Sequence, residues 1–306
     1  MTKLNYSKLN IGLPVYNGEK YIQERLENIL SQTFGDFKLI IDIDPGTDNT
    51  IEICKEFAEK DSRIELIIQE KRMGWMWSFN FVFKQANSKY FVWAGVDDIW
   101  SPDFLEKNIA VLDSNEDTVC SQGIISHYGP WDDKFDSKPD DSKLITLYKR
   151  IRRSFRPFPN YGASGSYEQR VKILLRKTAF YHIYGVFRTS ALYKNTVNEF
   201  FCWDWATTLT ILKQGNFYLI DEVLIELNTS GASDPSIKLF EQLKTQKAHK
   251  HEYLFPYSTF TNWCRKNLGM KIFLKNIDYF LWLNCIMGTS SVVISIINSI
   301  KKFNIK

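Results

Sequence analysis

Phe37-Lys38-Leu39-Ile40-Ile41-Asp42-Ile43-Asp44-Pro45-Gly46 is a near-continuous apolar run that ends in a turn-forming triplet. A run this short and apolar predicts a strand buried on both faces, and Asp, Pro and Gly close it. Working outward, Asn10–Val15 reads as an earlier strand. Between the two, Glu19–Gln32 sets Tyr21, Ile22, Leu26, Ile29 and Leu30 at helical spacing. Downstream, Thr47–Lys60 predicts a helix with Thr47 or Asp48 as N-cap. Ile64–Ile68 is a third strand, Trp77–Ala86 a helix, and Tyr90–Val96 a fourth strand ending in Asp97-Asp98. Strands alternating with helices over short connections mean a parallel, doubly wound sheet. In such sheets ligands bind beyond the carboxyl ends of the strands, which is where Tyr16-Asn17, Asp44 and Asp97-Asp98 fall.

Composition excludes other classes. The chain has 306 residues, 44% apolar and 24% charged, too apolar for a disordered chain. Its net charge of +4 is low for a nucleic-acid binder, so no nucleic-acid partner is expected. The five cysteines (Cys54, Cys120, Cys202, Cys264, Cys285) are scattered and odd in number, which argues against a disulfide framework and for a reducing, cytoplasmic compartment. Met1–Asn10 carries no signal-peptide apolar region. Asp132–Asp141 holds five aspartates and reads as a solvated loop, its spacing matching no calcium loop. Lys143–Lys177 then carries ten Lys or Arg, among them Lys149, Arg150, Arg152, Arg153 and Arg156, against the single acid Glu168.

Four ordered motifs carry a resemblance: Asn10–Thr33 (Asn-Ile-Gly-Leu-Pro-Val-Tyr-Asn-Gly-Glu…Ser-Gln-Thr), Ile41–Thr50, Ala94–Pro102 (Ala-Gly-Val-Asp-Asp-Ile-Trp-Ser-Pro), and Gly185–Leu192 with Trp203-Asp204-Trp205. Together they resemble family 2 glycosyltransferases. The resemblance implies a GT-A fold: an α/β, Rossmann-like, mostly parallel sheet flanked by helices, with a helical C-terminal extension. It divides the chain into a nucleotide-sugar half (1–115), an acceptor half (116–235) and an extension (236–306). It implies an inverting sugar transfer from a nucleotide-diphosphate sugar such as a UDP-sugar to an acceptor hydroxyl, within surface-polysaccharide, glycoprotein or glycolipid assembly.

Carried over by position, Pro14 and Tyr16 would contact base and ribose, and Asp44 the base. Asn17, Glu19 and Arg72 would complete the donor site. Asp97 would hold Mn²⁺ or Mg²⁺ under the diphosphate, Asp98 the donor sugar or metal-bound water, and Asp204 would be the general base. Trp203 and Trp205, flanking that base, would offer aromatic faces to a sugar. The chain departs from the family pattern in three places. Ile43 separates Asp42 from Asp44; Gly95 stands where the first acid of the metal motif is often found; and Trp203 replaces a frequent Glu, so that Asp204, lacking an acidic neighbour, is expected to have a lowered pKa.

Plainer readings stand beside these. Tyr16 could be strand-end packing, Glu19 a helix-start acid favoured by the dipole, Lys71 and Arg72 a solvated pair, and His182 is structural. A non-catalytic nucleotide- or glycan-binding descendant is the competing function; it would not need both Asp97 and Asp204. A nucleotidyltransferase would need a Gly-rich basic loop after the first strand, where Pro-Val-Tyr-Asn-Gly-Glu stands.

Tyr279–Ile300 is 22 residues without a charge, long enough to span a bilayer. Asn284, Gly288, Thr289, Ser290, Ser291, Ser295, Asn298 and Ser299 interrupt it, which favours an amphipathic or hairpin element that lies on the membrane or packs on the catalytic domain. With the basic 143–177 stretch, it predicts peripheral contact with the inner face of the cell membrane, and a glycan or lipid-linked acceptor.

Overall fold

The computed structural model describes residues 7–128, 160–177, 181–192, 200, 202–228 and 249–289, with single positions at 143, 146, 147, 243, 244, 292 and 296. The acidic loop Asp132–Asp141, the cluster from Lys149 to Arg156 and most of 290–306 lie outside them.

The first half follows the strand–helix alternation: β1 (Leu9–Val15), α1 (Glu19–Leu30), β2 (Phe37–Ile43), α2 (Thr50–Lys60), β3 (Ile64–Ile68), α3 (Trp75–Lys84) and β4 (Tyr90–Trp93). Then come β5 (Ile99–Trp100), α4 (Phe104–Ser114), β6 (Thr118–Tyr128), α5 (Tyr167–Lys177), β7 (Val186–Arg188), α6 (Thr189–Leu192), α7 (Trp203–Ile211) and β8 (Asn216–Asn228). Three C-terminal helices follow, α8 (Ser258–Asn267), α9 (Met270–Lys275) and α10 (Ile277–Trp282), the last running into a π-turn, Leu283–Gly288.

All eight strands join one sheet in the order β3-β2-β1-β4-β7-β6-β8-β5. The β3-β2-β1-β4 half is parallel. β7 enters antiparallel between β4 and β6, β8 runs parallel to β6, and β5 is antiparallel to β8. Alternate residues feed two cores. Leu9, Ile11, Leu13 and Val15 join Ile22, Leu26 and Ile29 of α1 and Leu105 and Ile109 of α4 on one face. Phe91, Trp93 and Phe187 join Val82 and Phe83 of α3, Leu174 of α5, Leu209 of α7, and Phe260, Phe273 and Phe280 of the C-terminal helices on the other. At Gly12 a Cβ would meet Val82 Cγ2 at 2.7 Å, so only glycine lets α3 lie this close on β1.

β2 and β3 fall where the sequence puts them; β1 starts one residue earlier, α1 and α3 end two residues earlier, and three further boundaries move. α2 starts at Thr50 rather than Thr47, because Asp48 Oδ1 accepts both the N–H (3.2 Å) and the hydroxyl (2.6 Å) of Thr50 in a turn before the helix. α3 starts at Trp75, two residues early, where Gly74 at φ 93° redirects the chain. β4 stops at Trp93, not Val96; the Ala94 N–H still donates to the Gly12 carbonyl at 2.9 Å before the backbone turns away.

Of the uncharged stretch, the described part runs from α10 into the π-turn. Tyr279, Phe280 and Leu283 are buried in the second core, so its described part packs on the domain. Among the described residues no helix is long and apolar enough to cross a membrane.

Candidate functional site

The turns after β1 and β2 are tied together. Asn17 takes a positive φ of 47°, and its amide oxygen accepts the Thr47 N–H at 3.0 Å. Glu19 accepts the backbone and side-chain N–H groups of Asn49 at 3.1 and 2.6 Å, while its own N–H donates to Asp48 at 3.0 Å. Asn17 and Glu19 therefore act first as braces that fix the wall of the cleft. Asp44 is buried, and its two carboxylate oxygens accept the N–H groups of Met73 and Gly74 at 2.9 and 2.8 Å. That pair of bonds anchors the loop between β3 and α3. The loop carries Arg72, whose guanidinium lies 3.9 Å from the centroid of the exposed Tyr16 ring, a cation–π contact. Pro14 pairs in register with Asp42 across β1 and β2. Asp42 is buried, and burial raises its pKa against the hydrogen bonds of Gln69 and Ser78.

At the end of β4 the pair Asp97-Asp98 sits on a tight turn. A Cβ on Gly95 would lie 2.2 Å from Asp98 Oδ2, so the Asp98 carboxylate occupies the space a side chain at 95 would fill. This gives the missing acid of the sequence motif a physical consequence: glycine at 95 lets Asp98 fold inward. Asp98 is buried; desolvation, then the neighbouring Asp97, push its pKa up to about 7, while Arg25 and the Asn228 N–H oppose the rise. Asp97 is half-buried, with a pKa raised by desolvation. Its carbonyl accepts the Tyr128 hydroxyl at 2.6 Å, which holds the turn.

Behind the turn lies Arg25, buried in α1, with its guanidinium 4.1 Å from the Trp100 ring centroid and Nη1 donating to Asn28 Oδ1 at 2.7 Å. Burial lowers its pKa to about 10, against the pull of Asp98 and Asp97. A cavity of about 70 Å³ separates it from the acids, lined also by Tyr21, Glu24 and Tyr128. Sequence reasoning missed Arg25, although it breaks the apolar stripe of Ile22, Leu26 and Ile29, a visible signal.

Asp204 opens α7. Cys202, at a left-handed φ of 70°, turns the chain into this helix. Desolvation raises the Asp204 pKa to about 6, although the backbone N–H groups of Trp205 and Asp204 itself favour the charged form. The lowered value expected from the absent acidic neighbour is thus reversed: apolar surroundings outweigh it. Of the two flanking tryptophans, Trp203 is corrected. Trp203 is 4% exposed, its ring packed 5.8 Å from Trp75 and 5.7 Å from Phe79, which leaves no free face for a sugar. Trp205 stacks on Tyr257 at 5.8 Å and meets Phe260 edge-on. Among the described residues Trp75 is exposed, at 40%, and was missed by the sequence reading; through Trp203 it brings the loop between β3 and α3 against α7. His182 is buried, with Nε2 2.9 Å from the Tyr161 carbonyl oxygen and a pKa lowered to about 4 by burial. That is the structural role expected of it.

The donor set suits a hard divalent cation. Among the described residues no group of three or more His, Cys, Asp or Glu comes together as a protein-only metal cage. Asp97 and Asp98 are hard oxygen donors at a strand end, as Mg²⁺ and Mn²⁺ require when substrate phosphates complete the coordination.

The profile of the family described as Glycosyl transferase family 2 matches residues 11–184. A glycosyltransferase of Methanocaldococcus jannaschii is 37% identical over 111 residues, 36% of this chain and 38% of that protein. The Escherichia coli UDP-Glc:alpha-D-GlcNAc-diphosphoundecaprenol beta-1,3-glucosyltransferase WfgD is 32% identical over 107 residues, 35% of this chain and 42% of that one. The chain thus spans less than half the length of these two relatives. Among solved structures, the Pyrobaculum calidifontis mannosyltransferase PcManGT in complex with GDP-Man and Mn²⁺ shares the fold, with a TM-score of 0.58 at 12% identity, covering 96% of this chain and 75% of that one.

Proposed function

The chain belongs to glycosyl transferase family 2, and on that premise we propose that it moves a sugar from a nucleoside-diphosphate sugar to an acceptor hydroxyl, with inversion, during assembly of a cell-surface glycan. The observation that carries this reading is the contact of Trp75 with Trp203. It joins the loop anchored by Asp44, on the donor side, to the helix that begins with Asp204. In this reading residues 1–115 hold the donor, 116–235 the acceptor, and 236–306 form a supporting extension.

Tyr16 and Arg72 offer a flat aromatic face and a planar cation to the nucleotide, and Asp44 rigidifies the loop that presents them. Asp97, with Asp98 behind it, would hold Mn²⁺ or Mg²⁺; such an ion neutralises charge on the departing diphosphate. Asp204 accepts the proton of the attacking hydroxyl, and its pKa of about 6 keeps it ionised yet basic near neutral pH. The relative that acts on a diphosphoundecaprenol-linked sugar supports a lipid-linked acceptor at the membrane surface.

A panel of UDP- and GDP-sugars tests this reading. Slow donor hydrolysis stimulated by Mn²⁺ is expected with at least one of them. No hydrolysis and no thermal stabilisation by any nucleotide would refute it.

A further inference from the structure

Fourteen large apolar side chains are exposed among the described residues, and eight of them lie from Leu254 onward. Five form a stripe: Met270, Leu274, Ile277, Leu281 and Ile286. The steps of four within α9 (Met270 to Leu274) and within α10 (Ile277 to Leu281) are helical spacing, and Asn276 at φ -119° joins the two helices. The last step, of five, falls in the π-turn Leu283–Gly288, whose i→i+5 bonding carries Ile286 round to the same side. The opposite side of the same run, Phe273, Phe280 and Leu283, is buried in the core. Leu254 and Phe255 extend the stripe. They precede Pro256, and a Cβ on Gly288 would lie 3.4 Å from Pro256 and 3.6 Å from Tyr257, so that turn abuts the end of the stripe. An exposed apolar face of this extent is an interaction surface.

Charge selects the occupant. Residues 249–289 contain Lys250, Arg265, Lys266, Lys271 and Lys275, all exposed. Of the two acids there, Glu252 is buried and Asp278 is paired with Arg176 at 2.8 Å, while Lys275 is itself paired with Glu168 of α5. A second copy of this chain would bring the cations Lys250, Arg265, Lys266 and Lys271 against the same four; an anionic lipid surface complements them and accepts the apolar stripe between its headgroups.

We propose that the outer face of α9, α10 and the Leu254–Phe255 turn docks on an anionic bilayer. The same unit supports the acceptor side, since Trp205 of α7 stacks on Tyr257 and packs edge-on against Phe260. Resting on the glycosyl-transfer reading, docking would set the Asp204 helix at the level where a lipid-linked hydroxyl emerges.

Flotation of the full chain with phosphatidylglycerol vesicles, and with phosphatidylcholine vesicles, tests the docking. Binding is expected to the anionic vesicles only, and to weaken with salt. The pair Leu274→Gln and Leu281→Gln, at exposed positions, should reduce the bound fraction about tenfold or more, as should Lys266→Glu with Lys271→Glu, while UDP or GDP binding and melting temperature stay as in the wild type. No flotation of the wild type, or equal flotation of the stripe variant, overturns the proposal. So does a sedimentation dimer that the stripe substitutions dissolve, since a second copy would then cover the face. Flotation that persists in a chain binding no nucleotide would leave the docking standing and bring down glycosyl transfer instead.

Discussion

The two regions that the proposed function assigns to donor and acceptor are built by opposite means. Turns after β1 and β2 are held by short polar bonds: Asn17 to Thr47, Glu19 to Asn49, and Asp44 to Met73 and Gly74. The start of α7 is held by rings: Trp203 against Trp75 and Phe79, Trp205 against Tyr257 and Phe260. Polar bracing fixes side-chain direction, as recognition of a nucleotide demands. Aromatic packing holds the start of α7, where burial desolvates Asp204 and raises its pKa to about 6. One region is fixed by polar bonds and the other desolvates a carboxylate.

The sharpest way to break this contrast is Asp204→Asn. It should lower kcat about 100-fold or more with nucleotide affinity nearly unchanged, because a lost general base costs at least that much. Loss of less than about tenfold in steady-state kinetics would remove Asp204 from the base role. On the donor side, Asp97→Ala should weaken UDP or GDP binding in Mn²⁺ about tenfold and abolish its EDTA sensitivity, read by calorimetry; wild-type binding indifferent to EDTA would speak against a metal there.

The third test separates the two sides by pH. With Asp204 at about 6, kcat should fall as pH drops below about 6, where an ordinary aspartate would hold to about 4. The sign for stability is opposite. A carboxyl with a raised folded pKa binds its proton more tightly in the native state, so the stability it contributes at acid pH is lost as pH rises to about 6. Asp204→Asn should therefore raise the melting temperature by a few degrees at pH 8 and leave it unchanged at pH 4. The smallest effect is expected for Arg72→Ala, a roughly threefold to tenfold rise in donor KM from the lost cation–π partner, with kcat unaffected.

The resemblance and the apolar rhythm of residues 9–98 together were enough to read the parallel half, because strand–helix alternation is a local pattern written in spacing. The place of Asp97 and Asp98 beyond the fourth strand was legible in the same spacing, and Asp204 in the resemblance alone. Their environments were not. That Asp98 folds over Gly95 toward Arg25, and that Asp204 is raised rather than lowered, depends on which atoms from distant segments exclude water from each carboxylate. A sequence carries no measure of that exclusion.

The same divide runs through the aromatic residues. Sequence determined that Trp203 and Trp205 flank an acid; only tertiary packing decided that Trp203 is buried and that Trp75, more than a hundred positions away, is exposed. The C-terminal stretch repeats the lesson. Its apolar composition was evident from the residues alone, but which side of α9 and α10 is buried was settled by the second core, as Phe273, Phe280 and Leu283 found partners there and Leu274 and Leu281 found none. Spacing sets which side chains share a face, and the rest of the molecule decides which face meets water.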